Sequence, residues 1–133
     1  LTEKLLARLG VREPEGLVGL VHRGDWDRAA LAALAALVVE AADAGDAVAG
    51  ELLDVAAREL AEAAGAVVRA LGFDGTVPVA LAGGLLVGSE RYRQRVRAAL
   101  AATAPGLRPG PVALVSEPAE GAVRLAREVL HSG

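Results

Sequence analysis

The sequence contains no cysteine, and its only aromatic residues are one Trp, one Tyr and one Phe. Without thiols the chain can form no disulfide, no thiolate metal site and no cysteine nucleophile. Hydrophobic residues nevertheless make up 53% of its 133 residues. Its core must therefore be built almost entirely from Ala, Leu and Val, and such small side chains predict closely packed helices.

The chain also lacks the charge pattern and the histidine spacing that two common classes of binding protein need. Its net charge is −3, whereas a protein that binds nucleic acid without sequence preference usually carries a basic face. Its two histidines, His22 and His131, lie far apart in the sequence, and neither has a partner at metal-binding spacing. We therefore expect no nucleic-acid partner and no metal ligand in this chain, and a small molecule or another protein as its partner.

No apolar run is long enough to cross a bilayer. The longest, from Ala29 to Val39, ends at Glu40, whereas a spanning helix needs about 20 apolar residues. This run is predicted to be a buried helix. Because the sequence also shows no basic segment followed by an apolar stretch at its start, we expect no secretory signal, no membrane association and a cytoplasmic location.

The length predicts a single domain over residues 1–133. Residues 1–45 are predicted to be helical: Gly10 ends a first helix that begins near Thr2, Pro14 begins a second, and a third runs to about Ala44. Residues 46–133 are predicted to form a core of one helix followed by strand, helix, strand and helix. The expected fold class is therefore α/β, rich in helix, with a short parallel sheet.

The most regular pattern in the chain predicts a helix from about Asp46 to Leu71. Apolar residues at helical spacing are predicted to form its buried face: Leu52, Ala56, Leu60, Ala63, Val67 and Leu71. Charged residues on the opposite face are interpreted as a solvated surface without a catalytic role: Glu51, Asp54, Arg58, Glu62 and Arg69.

The predicted fold is centred on the stretch from Thr76 to Ser89. An apolar run over 77–82 predicts a strand, and because the run is continuous both faces of the strand are expected to be covered. The pair Gly83-Gly84 then predicts a tight turn, after which Ser89 caps the next helix. Two residues without Cβ would let a flat ligand approach the backbone closely, although most such pairs only turn the chain.

The remaining segments complete a parallel unit. A helix over 89–102 is expected to bury Tyr92, Val96, Ala99 and Leu100, and the Pro- and Gly-rich residues 103–111 are predicted to be a loop. A second strand over 112–115 is expected to be the parallel neighbour of the first, with a right-handed crossover. A last helix from about Pro118 offers small and apolar residues for packing: Gly121, Ala122, Leu125, Ala126 and Val129.

Two charged clusters have competing interpretations. Arg91, Arg93, Arg95 and Arg97 suggest a phosphate-binding patch, but helical geometry separates them into two pairs, which favours a solvated flank. The triplet Asp25-Trp26-Asp27 suggests paired carboxylates, but helix capping beside a packed Trp is the simpler interpretation.

The order of these motifs resembles the C-terminal part of the BadF/BadG/BcrA/BcrD-type ATPase and N-acetylglucosamine kinase family. The motifs are Ala44-Gly45-Asp46 before a long helix, Leu81-Ala82-Gly83-Gly84 after a strand, and Pro118-Ala119-Glu120-Gly121-Ala122 at the last helix. That family belongs to the sugar kinase, heat-shock-70 and actin superfamily. The resemblance covers nearly the whole chain and implies a partial ribonuclease H-like lobe of the actin-like ATPase type.

The resemblance implies roles for particular residues. Gly83 and Gly84 would form the turn that contacts the adenosine of ATP. Leu85, Leu86 and the Ser89 helix start would lie beside the nucleotide. Ala44-Gly45-Asp46 would be an architectural turn, and Gly121-Ala122 would let the closing helix lie close to the sheet. Mg²⁺, the phosphate-binding hairpin and the catalytic aspartate would belong to a first lobe that this sequence does not contain.

Two classes of function follow from the resemblance. In the first, the chain is the adenosine-binding domain of an ATP-dependent kinase of N-acetylglucosamine or another amino sugar, and is inactive alone. In the second, it belongs to an ATPase-type activator or nucleotide-sensing module that acts on a partner protein. The absence of cysteine favours the kinase over an iron–sulfur activator. Because a two-stranded sheet is marginal alone, a second copy of the chain is kept as a further candidate partner.

Overall fold

The structure is a computed structural model that describes residues 1–22, 28–73, 75–103 and 108–131. Its elements, in chain order, are α1 (Thr2–Leu9), α2 (Glu15–His22), α3 (Arg28–Asp43), α4 (Ala47–Ala70), β1 (Thr76–Ala82), α5 (Gly84–Gly88), α6 (Glu90–Thr103), β2 (Arg108–Val115) and α7 (Ala119–His131). The helix-rich α/β class with a short parallel sheet is confirmed. The triplet Asp25-Trp26-Asp27 lies outside the described residues.

By its internal contacts the chain divides into two compact units, Leu1–Leu60 and Ala61–Gly133. The division falls within α4, a continuous helix, and not at the expected boundary between residues 45 and 46. The expectation of one domain over 1–133 stays a prediction.

The first unit begins with short helices that end where the sequence predicts. Gly10 adopts a left-handed conformation with φ 65° after α1, and the N–H of Val11 donates to the carbonyl of Leu6 at 3.0 Å. Both features are typical of a glycine-terminated helix. Lys4 of α1 and Glu40 of α3 form an exposed ion pair at 3.5 Å.

The turn before α4 also forms as expected. Gly45 has φ 89°, and the Oδ1 of Asp46 accepts the backbone N–H of Ala49 at 3.0 Å. Asp46 therefore caps the N-terminus of α4.

The predicted buried face of α4 is wrong. Leu52 is 48% exposed and Leu71, just beyond the helix end, is 65% exposed, whereas the buried residues form a neighbouring stripe of mostly small side chains: Ala49, Leu53, Ala57 and Ala61. Hydrophobicity alone favours the stripe with the larger residues. Small side chains allow a closer approach of helix backbones, and close packing decides which stripe is buried.

The two strands are parallel neighbours, as predicted. Ala80 pairs with Ala113 and Leu81 with Leu114, and the connection between the strands contains α5 and α6. The right-handedness of this crossover stays a prediction.

The second strand begins earlier than expected, so the predicted loop is wrong over 108–111. Thr76 pairs with Arg108, and the register shifts between Val77 and Val79. Proline has no N–H to donate to a ladder and is tolerated at strand edges and irregularities. The prolines of the segment Arg108–Val115 are therefore compatible with an irregular outer strand. Residues 104–107 lie outside the described part of the chain.

The expectation that both faces of the first strand are covered is also wrong. Burial alternates along β1: Leu81 is buried, while Pro78, Ala80 and Ala82 are exposed. A short run of alanines and valines does not distinguish a strand covered on both faces from one covered on a single face. Nothing in the described residues covers the face of β1 that carries Pro78, Ala80 and Ala82.

The helix between the strands supplies the largest part of the core in the second unit. Tyr92, Val96, Ala99 and Leu100 of α6 are all buried, as their spacing predicts. Burial raises the pKa of the Tyr92 hydroxyl. In α7, by contrast, no residue is buried, so the predicted packing of Gly121, Ala122, Leu125, Ala126 and Val129 is wrong.

Candidate functional site

The Gly83-Gly84 turn lies at the carboxyl end of β1, where ligands of parallel sheets bind. Gly83 has φ 105° and ψ 148°, a conformation that is essentially restricted to glycine. Among the residues that the structure describes, and apart from the chain neighbours of each glycine, no atom lies within 4 Å of a Cβ built on Gly83 or on Gly84. The space above the turn is therefore open, and the missing side chains leave its backbone accessible to a flat ligand.

A single helical turn that the sequence reasoning missed follows the two glycines. The N–H of Val87 donates to the carbonyl of Gly83 at 2.9 Å, and the N–H of Ser89 donates to that of Leu85 at 3.0 Å. These bonds form α5, which places Leu85, Leu86 and Val87 half-buried between the turn and α6. A hydrophobic run of this length carries too little periodicity to predict such a short helix.

Ser89 joins the two helices and caps the second, as predicted. Its Oγ accepts the N–H of Tyr92 at 3.1 Å, and the residue is buried. The hydroxyl thus satisfies one of the free N–H groups at the start of α6. Because α5 intervenes, Ser89 does not directly follow the glycine turn, and its observed contact is structural.

Arg93 supports this region and was assigned to a solvated flank by sequence reasoning. Its Nη1 donates to the carbonyl oxygens of Leu86 at 2.6 Å and of Val87 at 2.8 Å. Its Nε donates to Oε2 of Glu90 at 3.0 Å, and its Nη2 forms an ion pair with the same carboxylate. Arg93 therefore caps the carbonyl end of α5 and fixes it to α6.

The contact between Arg93 and Glu90 changes the pKa of the Glu90 carboxyl. The hydrogen bond and the positive charge of Arg93 hold the pKa of the Glu90 carboxyl below its usual range. The signal for the pair was available in the sequence, since Glu90 and Arg93 lie three residues apart on one helix. Nothing in that spacing, however, indicates the two carbonyl contacts.

A small cavity lies between α6 and the sheet. It has a volume of about 80 Å³ and is lined by Leu81, Arg93, Arg97, Val112, Ala113 and Leu114. Ligand pockets for small molecules usually measure about 300–1,000 Å³. This cavity is too small for a nucleoside, so the open surface at the Gly83-Gly84 turn is the stronger candidate.

Neither a group of metal-binding side chains nor a membrane-spanning helix is found in the described residues. Within the described ranges, no three His, Asp or Glu side chains are grouped so that they could hold a metal ion. Among the helices in those ranges, none combines the length and the apolar character needed to cross a bilayer.

Comparison with protein-family models, with curated proteins and with solved structures gives no match to this chain.

Proposed function

We propose that this chain forms the adenosine-binding wall of an ATP-dependent sugar kinase similar to N-acetylglucosamine kinase. The observation that carries the proposal is the open Gly83-Gly84 turn at the carboxyl end of a parallel strand. A glycine pair at this place presents bare backbone to a planar base, and no side chain from elsewhere in the described part of the chain lies within 4 Å of a Cβ built there.

The residues proposed to contact the nucleoside are Gly83, Gly84 and Leu85. The glycine backbone would lie against the base or ribose, and the half-buried Leu85 would supply apolar contact at the edge of the turn. Ser89, the fourth candidate, is proposed to have an indirect, structural role. Its hydroxyl caps the start of α6, next to α5. Arg93 is a positioning residue in this scheme, since it caps α5.

The phosphate chemistry is proposed to lie outside these 133 residues. Phosphoryl transfer depends on Mg²⁺, on donors to the transferred phosphate and on a group that orients the sugar hydroxyl. A lobe with a glycine-rich hairpin and an aspartate would supply them in a longer protein with a partial ribonuclease H-like, actin-like architecture. The amino sugar would be held largely by that lobe.

Binding by the chain alone tests this proposal. We expect adenosine, AMP and ATP to bind with similar and weak affinity, with a Kd of about 1 mM or weaker, because one wall of a cleft provides few contacts. Equilibrium dialysis measures this directly, with uridine as the matched control that should bind less. We also expect no transfer of phosphate from ATP to N-acetylglucosamine.

Three results would contradict the proposal. If adenosine did not bind at about 10 mM, the chain would have no nucleoside site. ATP that binds much more tightly than adenosine would indicate a phosphate site in this chain. Phosphate transfer by the chain alone would show that the catalytic groups lie within it. Melting temperatures are a poor readout, because ligand at its Kd stabilises a protein by only about 0.4 kcal/mol.

A further inference from the structure

The last helix exposes a continuous apolar face. No residue of α7 is buried, and Val129 and Leu130 are 74% and 80% exposed. Helical spacing places most of its apolar residues on one side: Ala119, Ala122, Val123, Ala126, Val129 and Leu130. The charged residues and His131 occupy the other side. Contiguous exposed apolar surfaces of this kind usually mark an interaction site.

The order of side-chain sizes along this face indicates how it can pair. Ala119, Val123, Ala126 and Leu130 follow one another at spacings of four, three and four residues, so they form a single row that alternates small and large. Against a second α7 in antiparallel orientation, Ala119 lies opposite Leu130 of the second copy, and Val123 opposite its Ala126. Every large side chain then meets an alanine.

A parallel pair of the same helices packs less well. It would place Leu130 against Leu130 of the second copy and Ala119 against its Ala119, so that crowded layers alternate with empty ones. Both overpacking and cavities destabilise an interface. The size pattern therefore favours the antiparallel orientation.

The charges beside the row favour the same orientation. Glu120 and Arg127 lie seven residues apart, so they border the row on the same edge. In the antiparallel pair, Glu120 of each copy lies near Arg127 of the other, which gives two identical ion pairs. Neither side chain forms an ion pair within the described part of its own chain.

We propose that α7 is a self-association surface, on which a second copy of this chain binds through an antiparallel α7 pair. The proposal goes beyond the proposed kinase function and is independent of it. A helix of 13 residues is only about 20 Å long, so the paired surface is smaller than that of a standard interface. The dimer is accordingly weak, with a Kd in the micromolar range or above.

Charge exchange between the two positions tests this arrangement. E120R and R127E each place two like-charged contacts at the pair, and each should raise the dimer Kd by at least about tenfold. An equimolar mixture of the two single variants restores both ion pairs between unlike chains and should associate as the unchanged protein does. The double variant E120R/R127E should regain self-association for the same reason.

Sedimentation velocity of the 133-residue chain, over concentrations up to about 1 mM, measures these effects. The matched control is R124E, because Arg124 lies on the polar side of α7 and the substitution changes the charge as R127E does. Circular dichroism checks that each variant keeps its helix content. We expect the control to dimerise normally.

Any of four outcomes would overturn the proposal. The unchanged chain could stay monomeric at every concentration tested. An α7 that folds onto the sheet of its own chain would give this result. Self-association could be insensitive to both single variants, or equally sensitive to R124E. The mixture of the single variants could fail to associate, which would exclude the antiparallel register.

Discussion

Replacing Leu100 by alanine should destabilise the chain by about 2–5 kcal/mol. Leu100 is 3% exposed and belongs to the buried face of α6, together with Tyr92 and Val96. Truncation removes buried methyl groups and leaves a cavity that the surrounding core can fill only in part. Chemical denaturation followed by circular dichroism measures the change in the free energy of unfolding.

Leu71→Ala is the matched control for that substitution. Leu71 carries the same side chain but is 65% exposed, so the loss should stay within about 0.5 kcal/mol. The sequence pattern alone predicts a large loss at Leu71, since it places this residue on the buried face of the long helix. Equal losses at the two positions would show that the burial described for the two helices is wrong.

Replacing Gly84 by valine should abolish measurable adenosine binding, with at least a tenfold rise in Kd. The new side chain would project into the open space above the turn, where the nucleoside is proposed to lie. Because a Cβ at Gly84 has no atom within 4 Å from elsewhere in the described residues and its φ is not positive, the fold should be unaffected. Equilibrium dialysis gives the binding change, and thermal unfolding gives the stability.

Gly88→Val is the control for this prediction. Gly88 belongs to the same short helix, is exposed and has no atom within 4 Å of a built Cβ, so valine there should leave adenosine binding unchanged. Gly83 is a less suitable position, because its φ of 105° would add strain of about 1–3 kcal/mol in the free protein. In the longer kinase that the proposal assumes, Gly84→Val should weaken ATP binding more than sugar binding. Equal losses would indicate general misfolding.

The sequence predicted those parts of the fold in which local chemistry and packing agree. Ser89 caps α6 because a serine hydroxyl accepts a backbone N–H at a helix start whatever the surroundings are. The buried face of α6 was also predictable, since its arginines leave one apolar stripe. The two parallel strands followed from a glycine-terminated apolar run and a second run after a helix.

The wrong predictions concern surfaces that only tertiary packing decides. The long helix has two adjacent apolar stripes, one of large residues and one of alanines, and its own sequence does not say which of them is buried. The outer face of β1 was predicted to be covered because its apolar run is continuous, and five small or apolar residues of α7 were predicted to be available for packing. Nothing in the described chain covers either surface. Periodicity identifies an apolar face but does not say whether another element covers it.

Only the location of the candidate site could be predicted from the sequence. A glycine pair after a parallel strand indicates where a ligand can bind, but not the conformation of Gly83 or the short helix that follows it. The role of Arg93 was missed because its partners are backbone carbonyls of another element. Such contacts leave no pattern in the sequence.

The central claim, that the turn after β1 contacts adenosine, is tested most directly by an NMR titration of the isotope-labelled chain with adenosine. We expect the largest changes in amide chemical shift at Gly83, Gly84 and Leu85, with smaller changes through α5 to Ser89. The amides of α1 and α7 should not move. The absence of any shift at about 10 mM adenosine, or largest shifts outside residues 83–89, would contradict the claim.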